Sequence, residues 1–166
     1  MRNLTFKALT AGVLLALAGT AGADSKVTSF QVTANVQGNC IIGASTLAFG
    51  IFNGQAVKDA ESTITVRCTD DLPYAIALDG GTEGDTTARR MSGAGGQLDY
   101  QLFSDAARTA NWGDTAADDL NGTGEGLAVA NAIDHTVYGR IPITVLNESA
   151  KVGNDYADTI QVTITF

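Results

Sequence analysis

The chain has 166 residues, 45% of them apolar, and a formal net charge of −8. That acidic balance argues against a nucleic-acid partner and against anionic membrane surfaces as a target. Two cysteines and a single histidine leave little material for a metal centre or a catalytic triad.

Residues 1–23 read as a secretory leader. Arg2 and Lys7 precede a largely apolar stretch, Ala8 to Ala18, and Ala21-Gly22-Ala23 fits the small-residue cleavage rule. The stretch is shorter than the roughly 20 residues a membrane-crossing helix needs. The mature chain is expected to start at Asp24, to be exported, and to carry eight basic against eighteen acidic residues, a formal charge of −10. The expected organisation is a leader (1–23), an N-terminal segment (24–37) and one domain (38–166).

Next comes Val27 to Val36, where Phe30, Val32, Ala34 and Val36 alternate with polar residues. Period two marks a strand with one buried face. Leu47 to Phe52 is a short apolar run. Ser62 to Cys68 places Ile64, Val66 and Cys68 on one face, Tyr74 to Leu78 does the same with Tyr74, Ile76 and Leu78, and Leu98 to Leu102 with Leu98, Tyr100 and Leu102. Asp105 to Arg108 and Asp114 to Leu120 have room for single helical turns. His135 to Ile143 gives Val137, Ile141 and Ile143 one face, and Pro142 marks that strand as an edge or a bulge. Tyr156 to Phe166 closes the sequence with Ile160, Val162, Ile164 and Phe166 inward.

Glycine clusters at Asp79-Gly80-Gly81, Gly93 to Gly96 and Asn121 to Gly126 predict turns or loops between these strands. Several short strands separated by such punctuation predict an all-β sandwich. The even cysteine count of an exported chain favours a Cys40–Cys68 disulfide. Closing that loop of about 29 residues stabilises the fold by about 3.5 kcal/mol on the chain-entropy model.

Chemistry has few candidates. His135 is the sole general-base candidate, and no Gly-x-Ser-x-Gly elbow accompanies it. Asp114, Asp118 and Asp119 match no calcium-loop spacing, the glycine clusters lack the Lys-Ser or Lys-Thr of a phosphate loop, and Trp112 reads as core packing. The Asn121-Gly122-Thr123 and Asn147-Glu148-Ser149 triplets carry no weight. No catalytic residue, metal or cofactor is expected, and the chain is not expected to be an enzyme.

The terminal patterns point elsewhere. A sheet protein with an uncovered strand at one end of the chain and a spare apolar strand at the other can join copies of itself. The competing reading makes Val27 to Val36 an ordinary first strand of its own domain. Burying Phe30, Val32 and Val36 in a neighbour would stabilise the contact by roughly 5–9 kcal/mol before ordering costs.

Ordered motifs over most of the mature chain sharpen this. They are Phe30-x-Val32-x-Ala34-x-Val36-x-x-x-Cys40-x-Ile42, Leu47-x-Phe49-Gly50, Ser62-Thr63-x-Thr65-Val66-x-Cys68 and Leu78-Asp79-Gly80-Gly81. Further on come Leu98-x-Tyr100-x-Leu102-x-x-Asp105-x-x-Arg108-x-x-x-Trp112-Gly113, Val137-Tyr138-Gly139-Arg140-Ile141-Pro142 and Gly153-x-x-Tyr156-x-Asp158-Thr159-Ile160-x-Val162-Thr163-Ile164-x-Phe166. In these the chain resembles the spore coat protein U domain family, which includes subunits of archaic chaperone–usher pili. Asn154 departs from the pattern as an extra residue in a turn.

The resemblance implies an incomplete immunoglobulin-like β-sandwich lacking its last strand. A periplasmic chaperone fills the resulting groove first. At an outer-membrane usher, the N-terminal strand of a sister subunit replaces it, giving a head-to-tail surface fibre. The donor residues would be Phe30, Val32, Ala34 and Val36. Val162, Ile164 and Phe166, with Ile160 on the same face, would line the acceptor groove. A tip adhesin and a self-contained secreted coat protein are the alternatives.

Overall fold

The computed structural model describes residues 22–166, so the expected leader lies almost wholly outside the described residues. The chain divides into two units, one ending at Asn35 and one running from Val36 to Phe166. In the first unit, residues 22–35 carry no regular secondary structure, and Val27, Phe30 and Val32 are exposed. The strand expected over Val27 to Val36 is therefore not formed here. Alternation supplies an apolar face, but a strand also needs a partner ladder for its main-chain groups.

The second unit contains nine strands: β1 (Cys40–Ala44), β2 (Lys58–Cys68), β3 (Pro73–Leu78), β4 (Arg90–Gly93), β5 (Gly96–Asp99), β6 (Gln101–Phe103), β7 (Leu120–Thr123), β8 (Ile133–Ile141) and β9 (Val162–Thr165). One sheet has the order β1-β2-β8-β6, a second β7-β3-β9, and β4-β5 form a separate hairpin. Every pairing between these strands is antiparallel. The inward faces of β2 (Ile64, Val66, Cys68), β3 (Tyr74, Ile76, Leu78) and β8 (Val137, Ile141) meet in one core with Leu98, Tyr100, Leu102 and Trp112. The fold is thus an all-β antiparallel sandwich. Cys40 and Cys68 lie opposite one another in the β1–β2 register and are disulfide-bonded.

The alternations in β2 and β3 fall as the sequence predicts. Elsewhere tertiary contacts redraw the boundaries. The Leu98 to Leu102 strand divides at Tyr100, because β5 pairs with β4 while β6 pairs with β8, and the Tyr100 N–H turns to the Arg89 carbonyl at 3.0 Å. β8 is an internal strand, flanked by β2 and β6, and stops at Ile141. Pro142 ends it rather than marking an edge or bulge, since proline has no N–H to continue a ladder. Ile143 lies past that end and is 39% exposed instead of sharing the Val137 face.

Asn121 to Thr123, expected in a loop, belong to edge strand β7 beside β3. Gly122 is there for space: a Cβ would lie 2.4 Å from Tyr74 Cζ. The two expected helical turns are non-helical turns knotted by carboxylates. Asp105 accepts from the Thr109 and Ala110 amides, each at 2.8 Å, and Asp118 from the Thr115 amide at 2.8 Å. Among the described residues the one α-helical turn, α1 (Val145–Glu148), is capped by Thr144 Oγ1, which accepts from Asn147 N. β9 is shorter than the Tyr156 to Phe166 strand expected from alternation.

Two buried polar side chains stitch loops to this frame. Arg89 is fully buried and donates to the carbonyls of Asp79, Thr86, Leu78 and Trp112 at 2.7–3.0 Å. Asn147 exchanges hydrogen bonds with the Asp99 main chain and donates to the Pro142 carbonyl.

Candidate functional site

An apolar cleft of about 300 Å³ opens between the two sheets. Its floor is the core itself: Ile64, Leu78, Tyr100, Leu102 and Val137. One wall begins where β1 leaves its partner. Ser45 is the last residue of that ladder, its N–H donating to Thr63 O at 2.9 Å. From Thr46 to Phe52, no main-chain group hydrogen-bonds to another among the described residues. Yet Leu47 and Phe49 still point inward while Thr46, Ala48 and Gly50 face solvent. The stretch keeps the side-chain alternation of a strand without a neighbouring strand.

Packing explains why it lies flat. Phe49 meets the Tyr100 ring edge-on at 6.3 Å between centroids. Both Leu47 and Phe49 descend onto β8 at Gly139, where a Cβ would lie 2.9 Å from Leu47 Cδ1 and Phe49 Cζ. The opposite wall is Asp158, Thr159, Ile160 and Val162, leading into β9. Among the described strands β9 pairs only with β3, so its other edge carries no ladder. Two main-chain edges without strand partners thus border one apolar floor, the arrangement an extended peptide can join by strand addition.

Asp158 supplies the polar feature of this wall. Its carboxylate accepts from the Tyr100 hydroxyl at 2.6 Å, from the Thr82 hydroxyl at 2.7 Å and from the Thr82 amide at 3.0 Å. Burial pushes its pKa up, but these hydrogen bonds outweigh burial and hold it below the usual carboxylate value. Burial first, then the bond to Asp158, raise the Tyr100 phenol. Both groups keep their charge states across the neutral range, so the cleft wall offers fixed polarity rather than a proton donor.

The residues singled out in the sequence are distributed as follows. Ile160 and Val162 line the cleft. Ile164 packs against the core from β9, and Phe166 is 55% exposed. Phe30, Val32 and Ala34 are exposed in the first unit, and Val36 is exposed in the second. His135 contacts Tyr74, and Trp112 is buried with its Nε1–H donating to Ile76 O at 2.9 Å. No group of three or more possible metal ligands occurs among the described residues. The sequence reading missed Leu47 and Phe49 as a wall. Their signal was present as a short Leu-x-Phe alternation, too brief to stand out alone.

The spore coat protein U domain model matches residues 26–163. The chain belongs to that family. The match takes in residues 26–35 of the N-terminal unit and the sandwich as far as residue 163. Protein U of Myxococcus xanthus is 33% identical over 178 residues, spanning 96% of this chain and 95% of that protein. A solved structure with the same fold is a chain of the CsuC–CsuE chaperone–tip adhesion subunit pre-assembly complex, from archaic chaperone–usher Csu pili of Acinetobacter baumannii. It matches with a TM-score of 0.54 at 21% identity over 79% of this chain, and this chain spans 40% of that neighbour's length. The likeness places the chain's family sandwich in an immunoglobulin-like fold.

Proposed function

We propose that this protein is a non-enzymatic building block of an exported surface fibre of the chaperone–usher type. Sister copies are linked by strand exchange: Phe30, Val32, Ala34 and Val36 of one copy enter the cleft of the next and lie along Ile160, Val162, Ile164 and Phe166. The observation that carries this reading is the cleft, an apolar floor bordered by two unpaired main-chain edges, in a chain that also presents a period-two apolar segment to solvent. A periplasmic chaperone occupies the cleft before a sister does, and an outer-membrane usher is where the exchange takes place. The neighbouring fold, seen in a chaperone–subunit complex, supports the chaperone step. Once seated, the strand leaves only through local unfolding, so the fibre is kinetically stable.

The decisive measurement compares the exported chain with and without residues 24–37 on an unboiled denaturing gel. A ladder of oligomers that disappears with the deletion is expected. Stable monomer in both cases would overturn the proposal. It would favour a self-contained coat protein, a reading that draws on the near full-length match to Protein U. Glycan binding by a monomer would favour the tip-adhesin alternative instead.

A further inference from the structure

An apolar loop and a cavity with an apolar rim stand at opposite ends of the sandwich. The loop is Leu127 to Ala132, without a charged side chain. Val129 is 78% exposed, and Ala128, Ala130 and Ala132 are exposed beside it. It is held rigidly. The Gly126 N–H donates to Cys68 O at 2.9 Å, Arg67 Nη1 donates to Leu127 O at 3.3 Å, and Asn131 Nδ2 donates to Glu125 O. This loop therefore stands at the Cys68 end of β2, where Cys40 and Asn39 are also anchored.

The cavity lies at the other end. It has a volume of about 820 Å³ and continues from the cleft past Leu47 and Phe49, lined by Ile51, Phe52, Met91 and Val152 together with the polar Asn53, Glu148, Lys151 and Asn154. Ile51 and Val152 form an exposed apolar rim. Gly54, on its wall, packs on Glu148 four residues before β2 begins at Lys58. The eleven residues of β2 put roughly 35 Å between the two features, so they cannot meet within one molecule. Matching patches at opposite poles make a heterologous contact, which propagates as an open chain where the rotation between copies does not close a ring.

We infer that the Leu127–Ala132 loop of one copy docks in the Ile51–Val152 cavity of the next, as a second contact beside the exchanged strand. This rests on the strand-exchange reading, and the chain's connectivity then dictates the placement. β9 runs from the cavity pole, where Asp158 lines both spaces, toward the Cys68 pole, where Thr165 pairs with Ala75. An arm antiparallel to β9, as β3 is on its other side, ends with Val36 at the Asp158 pole. Only Gln37, Gly38 and Asn39 separate Val36 from Cys40, a reach of at most about 14 Å. The donor's Cys68 pole, with its apolar loop, is thereby held against the acceptor's cavity.

The test pairs Val129→Cys with Val152→Cys, both exposed positions, in the full chain exported in its own host. The expected result is a ladder that survives boiling without reductant and collapses with it, and that vanishes when Phe30→Asp is added. A normal unboiled ladder that boils to monomer without reductant would overturn the docking contact while leaving strand exchange standing. Equal cross-linking by Val129→Cys alone would also overturn it, because that reports loop against loop. Absence of any ladder in the otherwise unaltered chain would remove the strand-exchange reading and this contact with it.

Discussion

His135 on β8 and Tyr74 on β3 come from different sheets, and His135 Nε2 lies 2.8 Å from the Tyr74 hydroxyl. Their rings meet edge-on at 5.9 Å. Burial lowers the His135 pKa, and neighbouring Asp134 opposes that only in part. A base whose folded pKa is depressed takes up its proton more readily when unfolded. Its contribution is therefore intact above the ordinary histidine value of about 6.5 and is lost as pH falls through that value toward the folded one. Thermal midpoints of the purified protein should fall between about pH 7 and 5, and His135→Gln should flatten that segment of the profile. Parallel profiles for the two proteins would show that the ring does not carry the effect. The sequence offered His135 as a structural residue, and the structure supplies its partner. Arg89 was not legible at all. Among Thr86, Thr87 and Arg90 it reads as an ordinary surface cation. Only the convergence of three separate segments around its guanidinium, contributing the carbonyls of Leu78, Asp79, Thr86 and Trp112, makes burial of the charge tolerable.

Strands with one wet face were legible because water on one side and core on the other write a period of two into the residues. β2 and β3 show it, with Ile64, Val66 and Cys68, then Tyr74, Ile76 and Leu78 buried in turn. What the pattern cannot encode is the partner. The apolar face through Leu98, Tyr100 and Leu102 is continuous, yet its main chain changes neighbours midway. Asn121-Gly122 looks like a turn because glycine usually signals positive φ, whereas Gly122 makes room for a tyrosine ring. Thr46 to Phe52 has strand-like side chains and no ladder, so neither pattern nor hydrogen bonding alone identifies it as a wall of the cleft. Gly139 tests that wall. On β8 it lies between inward-facing Val137 and Ile141, and its missing side chain admits Leu47 and Phe49. Gly139→Val should force both side chains outward, cost about 1–3 kcal/mol in stability, and narrow the cleft. A lowered thermal midpoint together with a weaker oligomer ladder is the expected result. An unchanged ladder would mean that these side chains do not shape the accepting surface.

At the scale of the whole molecule, a sandwich of this kind leaves hydrophobic floor and main-chain edge uncovered while its N-terminal unit leaves Phe30, Val32 and their alternates in water. Each feature is unfavourable by itself. In the proposed strand exchange between two copies each would relieve the other, and the gain would depend on the largest anchor of the arm. Phe30→Asp removes about 2–3 kcal/mol of apolar transfer and asks a carboxylate to enter an apolar site, so a loss of about 4 kcal/mol or more is expected. At about 1.4 kcal/mol per factor of ten, that is on the order of a thousandfold in the exchange equilibrium. The cleft is untouched by this change, because Phe30 lies in the N-terminal segment and the cleft is lined by residues from Ala44 onward. On the proposed function, the variant should be recovered in complex with a periplasmic chaperone but fail to extend fibres, a result read by co-purification beside the unboiled gel. Fibres of ordinary length from Phe30→Asp would mean that the arm does not donate through this residue.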